Sequence, residues 1–293
     1  MDIVSRLRRS TLPDSQDDDR TPAGARPPAA PPSRHGLGRA HKLPPVLSWR
    51  PASSPGQPPR LAQRTTLLCN DAYAALASGI TRGAMWSAEH LTRAGLEQAR
   101  GTPRQGVFHP DDRLPSADQA QLADYRRSGY DRGHMTPSGD MPGGAAQQQS
   151  FSLANMVPQT PELNRGVWSG IEMATRGLAE RRGDLYVVTG PAFAGQQIQS
   201  IGPGGVLVPS STWKAVYDPG VQAAGVYLCG NTAVPTCEVM SVAALVRLVG
   251  IDPFPAISAR TKEVTMTLPE PEGRHDSSSR HQRQRRKPPG FFE

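Results

Sequence analysis

Between residues 61 and 269, apolar positions recur in short runs that are bounded by glycine, proline and polar residues. Runs of this length are typical of β-strands. We predict strands at residues 67–76 and 84–91, with a turn at Ser78-Gly79 between them, and at residues 185–189, where Gly190-Pro191 ends the run. The other predicted strands are residues 205–208, 212–217 and 226–229.

Two segments instead show helical spacing. The first begins at Thr160, whose hydroxyl can cap a helix that starts with Pro161. Its apolar residues recur at near-helical intervals, and Gly183 ends it after two arginines. The second helix is predicted at residues 241–248, before Gly250. Many short strands with few helices predict a mixed α+β domain.

The two ends of the chain differ in composition from its middle. Residues 1–60 hold 12 of the 30 prolines, and residues 270–293 include a basic run at 283–287. Sparse apolar residues cannot offset the entropy cost of ordering, so we predict disordered tails at 1–60 and 270–293 around one domain at 61–269. The first residues show no recognisable signal peptide, and no apolar run reaches transmembrane length.

The formal charge of +7 suggests an anionic partner such as nucleic acid, but its distribution changes that picture. Of the 33 Lys and Arg, 16 lie in the predicted tails, and so do 9 of the 26 Asp and Glu, which leaves 17 of each sign in residues 61–269. Any attraction of that domain for phosphates must therefore come from a local cluster of cations.

The motif Asp131-Arg132-Gly133-His134 places an acid, a guanidinium, a flexible hinge and an imidazole in four residues. Arginine donates two parallel hydrogen bonds to a phosphate, and histidine transfers protons near neutral pH. The motif therefore indicates phosphodiester chemistry.

Two polar residues, Asn164 and Glu172, interrupt the apolar pattern of the first predicted helix. Eight residues on a helix turn about 80° beyond two full turns, so both side chains can face one groove. An amide oxygen can bind a hard cation directly, and a carboxylate can order that cation's waters. The alternative is an ordinary polar helix surface.

Three further features each allow more than one interpretation. Asn155 lies in an otherwise apolar stretch. Three roles are compatible with this position: it orients His134, it binds substrate, or it only stabilises a turn. Arg104 is either a solvated surface residue or, if the fold brings it beside His134, a site residue. Cys229 and Cys237 flank a predicted turn, which allows a disulfide in an oxidising compartment or two buried thiols.

Together these motifs resemble the DNA/RNA non-specific endonuclease family, which includes endonuclease G and secreted bacterial nucleases. His134 is followed 30 residues later by Asn164 and then by Glu172, and the resemblance spans roughly residues 61–268. The matching segments also include Trp86-Ser87-Ala88-Glu89-His90-Leu91, Asn155-Met156-Val157-Pro158-Gln159, Leu163-Asn164-Arg165-Gly166-Val167-Trp168 and residues 249–255. The resemblance implies a ββα-metal core within a mainly antiparallel domain, with His134 ending a strand.

The resemblance also implies a role for each candidate residue. His134 would be the general base that activates water, and Asn164 would directly bind one Mg²⁺, or Mn²⁺ in its place. Glu172 would act on that cation through water, and Arg104 would stabilise the charged transition state. The implied residues that support the chemistry or contact the substrate are Arg132, Asn155 and Arg165.

The resulting hypothesis is a metal-dependent endonuclease that cuts DNA and RNA with little sequence preference, because phosphate contacts carry no base information. One alternative is a nucleic-acid-binding module with an inactive nuclease fold. Another is a zinc hydrolase that uses Asp131, His134 and Asp140, although it lacks a convincing set of His and Cys ligands. The resemblance further implies a secreted or periplasmic protein, and it leaves a homodimer and an inhibitor or immunity protein open as partners.

Overall fold

The structure, a computed structural model, describes residues 63–195 and 197–271. Its main sheet is built from β1 (Thr65–Cys69), β2 (Tyr73–Ser78), β3 (Gly83–Thr92), β6 (Asp184–Ala192), β9 (Ser211–Asp218), β10 (Ala223–Gly230) and β11 (Cys237–Met240). These strands lie side by side in that order, and every neighbouring pair is antiparallel. Two small antiparallel ladders join β4 (Asp131–His134) to β5 (Met156–Gln159), and β7 (Ser200–Ile201) to β8 (Val206–Leu207).

Six α-helices accompany the strands in the described residues: α1 (Arg93–Arg100), α2 (Leu122–Tyr125), α3 (Gly144–Ser150), α4 (Trp168–Arg182), α5 (Val242–Val249) and α6 (Ala259–Glu263). The apolar side chains of α1 and α4 pack on one face of the main sheet, against Leu185 and Val187. Those of α5 pack on the opposite face, against Val188. The predicted α+β class with a mainly antiparallel sheet is therefore confirmed. None of the helices in the described ranges combines the length and the apolar character that a membrane span requires.

The ends of both predicted helices are confirmed. The hydroxyl of Thr160 accepts a hydrogen bond from the Leu163 N–H, and Gly183 ends α4 in the left-handed conformation, at a φ of 88°. A helical turn at Leu163–Val167 precedes α4, and the chain kinks at Gly166, whose φ and ψ are not helical. Helix α5 begins after Ser241 and ends at Gly250, as its pattern predicts.

Two predicted strands are wrong in their bounds. Residues 67–76 form two strands, because the Asn70 N–H bonds to the Tyr73 carbonyl and reverses the chain between two apolar runs. Strand β6 continues through Gly190-Pro191 instead of ending there. Its pairing with β3 stops at Thr189, so Pro191 pairs only with β9 and its missing N–H leaves no ladder hydrogen bond unmade.

The two predicted tails, residues 1–60 and nearly all of 270–293, lie outside the described residues, so the domain bounds at 61 and 269 stay predictions. The cysteine alternatives are decided by the fold. Cys229 and Cys237 face each other across β10 and β11 and form a disulfide. Cys69 is a free, exposed thiol on β1.

Candidate active site

The Asp131–His134 motif forms strand β4, and the chain returns antiparallel along β5 before the helical segment that begins after Thr160. His134 ends its strand, opposite Met156. A Cβ atom at Gly133 would lie 2.2 Å from Oε1 of the buried Gln159 side chain, so the packing of that side chain favours glycine at this position.

An open groove of about 420 Å³ lies between β4 and the helical segment that carries Asn164 and Glu172. Six of the seven candidate site residues line it, in spite of their separation along the chain. These six are Arg104, Arg132, His134, Asn164, Arg165 and Glu172. The fold therefore brings Arg104 beside His134, the arrangement under which the sequence predicts Arg104 to be a site residue.

His134 lies at the base of the groove, with 9% of the residue exposed. Its ring meets the ring of Phe151 edge-on, at 5.1 Å between centroids, and Phe108 lies at 5.7 Å. No hydrogen bond from another described residue engages the imidazole, and its Nε2 is buried. Burial, together with the charge of Arg104, lowers the pKa of His134 to about 3. The ring is therefore neutral at physiological pH, the form that can accept a proton.

Asp131 organises the first turn of the helical segment. The Asn164 Nδ2 donates a hydrogen bond to Asp131 Oδ2 at 3.0 Å, and Arg165 donates two, at 2.6 and 2.7 Å. Burial alone would raise the pKa of Asp131, but the bonds from Arg165 and Asn164 outweigh it and lower that pKa. Because the amide nitrogen of Asn164 is engaged by a carboxylate, its oxygen is left for another ligand.

Glu172 is partly exposed to the groove, and its carboxylate makes no hydrogen bond or ion pair with another described residue. Burial raises its pKa to about 7, although the charges of Lys214 and Arg176 act in the opposite direction. A free amide oxygen and a free carboxylate on one groove form a donor set for a hard cation such as Mg²⁺, which keeps most of its waters.

The zinc-hydrolase alternative is not supported by the geometry. Among the described residues, no group of three or more His, Cys, Asp and Glu side chains is placed to hold a metal ion. Asp131 is engaged by Asn164 and Arg165, and Asp140 is bound by Arg176 at 2.6 Å. A zinc site needs three or four converging protein ligands, and these carboxylates serve other partners.

Asn155 is the candidate that the fold keeps out of the groove. Its side chain is fully buried, so it cannot contact a substrate in this conformation. Its Oδ1 accepts from the Thr136 N–H at 3.0 Å, and its Nδ2 donates to the carbonyls of Thr136 and Ser150. Its own carbonyl accepts from the Met135 N–H. These contacts hold the chain just after His134, which favours the orienting interpretation over substrate binding.

Two residues that line the groove were missed. Arg176 lies one helical turn after Glu172, on the same face, so the spacing of four residues was an available signal. The Arg132 guanidinium lies over the Phe108 ring, with its Cζ 4.4 Å from the ring centroid. This contact holds the Arg132 cation at the groove. No signal in the sequence connects Phe108 with Arg132, because the contact depends on the loop between α1 and α2.

A family model described as DNA/RNA non-specific endonuclease matches residues 57–259. Among curated proteins, the chain is 36% identical to "Nuclease 1, mitochondrial" of Schizosaccharomyces pombe over 159 residues, which are 50% of this chain and 49% of that protein. It is 33% identical to "Endonuclease G, mitochondrial" of Homo sapiens over 177 residues, which are 57% of each protein. The chain thus spans about half the length of these relatives.

Solved structures agree with the fold. The crystal structure of an EndoG/EndoGI complex contains a chain that matches with a TM-score of 0.62 and 25% identity. The match covers 68% of this chain and 89% of that one.

Proposed function

Since the chain belongs to the DNA/RNA non-specific endonuclease family, we propose that it is a metal-dependent endonuclease that hydrolyses phosphodiester bonds in DNA and RNA. The main support is the arrangement of a neutral His134 and the Asn164–Glu172 helix on the two sides of one groove. A base and an oxygen-donor set that face the same space are the two parts that hydrolysis of a phosphodiester needs.

The proposed metal site uses the amide oxygen of Asn164 directly and the carboxylate of Glu172 through water, and it takes Mg²⁺ or Mn²⁺. A divalent cation bound there supplies charge stabilisation to a phosphoryl oxygen and to the leaving 3′ oxygen. Asp131 has the supporting task of orienting the Asn164 amide through its hydrogen bond.

His134 is the proposed general base. Its neutral imidazole accepts a proton from the water that attacks the phosphorus, and the phenyl rings of Phe108 and Phe151 hold its plane. Asn155 supports His134 indirectly, because its hydrogen bonds fix the backbone of Met135 and Thr136, the two residues that follow His134.

The groove arginines are the proposed phosphate contacts. Arg104 is exposed beside His134, and Arg132 is held over Phe108, so both guanidinium groups can donate to the non-bridging oxygens. Arg165 has 69% of its side chain exposed, and it can reach a phosphate at the rim while it holds Asp131. Such contacts do not distinguish bases, so little sequence preference is expected.

Digestion of plasmid DNA and of RNA, each with Mg²⁺ and with EDTA, tests this proposal. His134→Ala should lose cleavage by on the order of 10²-fold or more, because it removes the general base. His90→Gln is the matched control, since His90 lies outside the groove and bonds to Asp184. Near wild-type cleavage by a folded His134→Ala protein would overturn the assignment. Binding of nucleic acid without cleavage in Mg²⁺ or Mn²⁺ would instead favour the inactive binding module.

A further inference from the structure

The loop at residues 230–236, here called the hairpin loop, joins β10 to β11 and is closed by the Cys229–Cys237 disulfide. It does not extend freely into solvent. It packs against the start of the helical segment that carries Asn164, because the Thr160 hydroxyl donates to the Thr232 carbonyl at 2.9 Å. A surface hairpin far from the groove along the chain is thus in direct contact with the proposed metal-binding segment.

Asn231 makes most of this contact. Its Oδ1 accepts from the Thr160 N–H at 2.8 Å, and its Nδ2 donates to the carbonyls of Pro158 and Pro209 at 2.9 Å each. The residue is 9% exposed, and its own N–H donates to Ser210. Every polar group of the side chain is therefore used to join the end of β5, the start of the helix and the start of β9.

The path from Asn231 to the proposed metal ligand is short. The Thr160 N–H donates to the Asn231 side chain. The Thr160 carbonyl in turn accepts a hydrogen bond from the Asn164 N–H at 2.9 Å. The chain kinks at Gly166, two residues after Asn164, so the turn that carries Asn164 is not continuous with helix α4. Contacts from outside this turn, to Asp131 and Asn231, therefore contribute to its position.

We propose that the disulfide-closed hairpin loop is a redox-sensitive anchor, in which Asn231 is a positioning residue for Asn164. Among the described strands, β11 lies at the edge of the sheet, pairs with β10 alone and is largely exposed. Besides the disulfide, the base of the loop is held by the Gly230 N–H bond to the Thr236 carbonyl and by the short ladder between β10 and β11. Opening the disulfide loosens this edge, and the loosening reaches Asn164 through Thr160.

The redox step is an ordinary thiol–disulfide exchange. A dithiol reductant attacks the bond, Cys229 and Cys237 leave as two thiols, and the reductant closes to its own disulfide. Cys237 is exposed on β11, so a small thiolate can reach it. The inference rests on the proposed function, because it takes Asn164 as a ligand of the divalent cation.

The test compares oxidised and reduced protein in a Cys69→Ser background, which removes the unpaired thiol. Mg²⁺ is titrated in the plasmid assay, and Mn²⁺ binding is measured by calorimetry without nucleic acid. Reduction should raise the half-saturating metal concentration by about 10-fold, a size typical for the loss of an outer contact to a metal ligand. The oxidised Asn231→Ala protein should show a similar shift, while the Cys229→Ser/Cys237→Ser protein should show it with and without dithiol.

The outcomes separate the inference from the proposed function. Equal metal affinity before and after reduction, with the thiols shown to be free, overturns the anchor even if cleavage is metal-dependent. Metal-independent cleavage, or no cleavage by the oxidised protein, overturns the proposed function, and the calorimetric comparison still decides whether the loop controls a metal site. Circular dichroism of the reduced protein is the check on folding: a lost helix signal together with the lost affinity overturns the positioning role in favour of a purely structural disulfide.

Discussion

Helices α4 and α5 obey the same local rules at their ends but are positioned in different ways. Each helical segment starts after a hydroxyl residue, Thr160 or Ser241, whose side chain accepts a backbone N–H, and each ends at a left-handed glycine. Helix α5 is regular from its first residue. The segment before α4 is kinked at Gly166, and the turn before this kink carries Asn164.

The contacts that hold the two helices account for the difference. Val242, Leu245 and Val249 attach α5 to the sheet through apolar packing, which stabilises the helix but tolerates small displacements. The start of the α4 segment donates hydrogen bonds to Asp131 and Asn231, residues of two distant parts of the chain. Directional bonds fix the position of a side chain more closely than packing alone, and the proposed metal role of Asn164 needs that accuracy.

The largest expected effect comes from Asn164→Leu, which keeps the size of the side chain and removes its amide oxygen. We expect plasmid cleavage to fall by about 100-fold or more, since even outer contacts of metal ligands cost 10- to 100-fold. The unfolding temperature should change little. Met173→Ala, on the exposed side of α4, is the control and should cleave like wild type. Equal losses in the two variants would show that the helix as a whole, and not the groove side, is responsible.

On α5, Leu245→Ala should lower stability and leave cleavage unchanged, the opposite of Asn164→Leu. Leu245 is fully buried in the core, so its truncation should lower the free energy of unfolding by about 2–5 kcal/mol. Activity per folded molecule and the half-saturating Mg²⁺ concentration should stay the same. Chemical denaturation and a metal titration measure the two quantities, and a shifted metal midpoint in the folded variant would contradict the separation of the two helices.

The lowered pKa of His134 should also make the free energy of unfolding depend on pH in acid. The pKa of His134 is about 3 in the folded protein against 6.5 ordinarily, so between these values the unfolded chain binds the additional proton. The free energy of unfolding therefore falls as pH drops through this window, by at most about 1.4 kcal/mol per pH unit from this group. In EDTA, His134→Gln should unfold with a shallower pH dependence between pH 6.5 and 4. Parallel curves for the two proteins would refute the shift.

The smallest effect compares the two helix caps. Thr160→Val and Ser241→Ala should each cost about 1 kcal/mol of stability, because each leaves one N–H at a helix start without its hydroxyl partner. Only Thr160→Val should also raise the Mg²⁺ requirement, since it removes the hydroxyl that donates to the Thr232 carbonyl of the hairpin loop. A similar rise in Ser241→Ala would remove the proposed distinction between the helices.

Much of this architecture is local and could be predicted. Capping at Thr160 and Ser241 and termination at Gly183 and Gly250 follow from local helix rules. Errors arose where a neighbouring strand mattered. Strand β6 runs past Gly190-Pro191 because β9 pairs with it as far as Ala192, and the sequence of β6 does not contain that information.

The candidate residues divide in the same way. Asn164 and Glu172 both line the groove, as the sequence pattern predicts, although the kink at Gly166 separates them. Asp131 meets Asn164 across 33 residues, and Asn231 meets Thr160 across 71, only because strand order brings those segments together. The motif that contains Asn155 made it a candidate substrate contact. In the tertiary structure its side chain is buried and bonds to the backbone of Thr136, just after His134.

The amino-acid sequence by itself determined the candidate site residues and the local elements that hold them, because capping, helical spacing and strand patterning act over a few residues. Only the tertiary structure decided that Arg104 stands beside His134, that Cys229 bonds to Cys237, and that Asp131 orients Asn164. These relations depend on burial and on strand order, and both are properties of the whole packed domain.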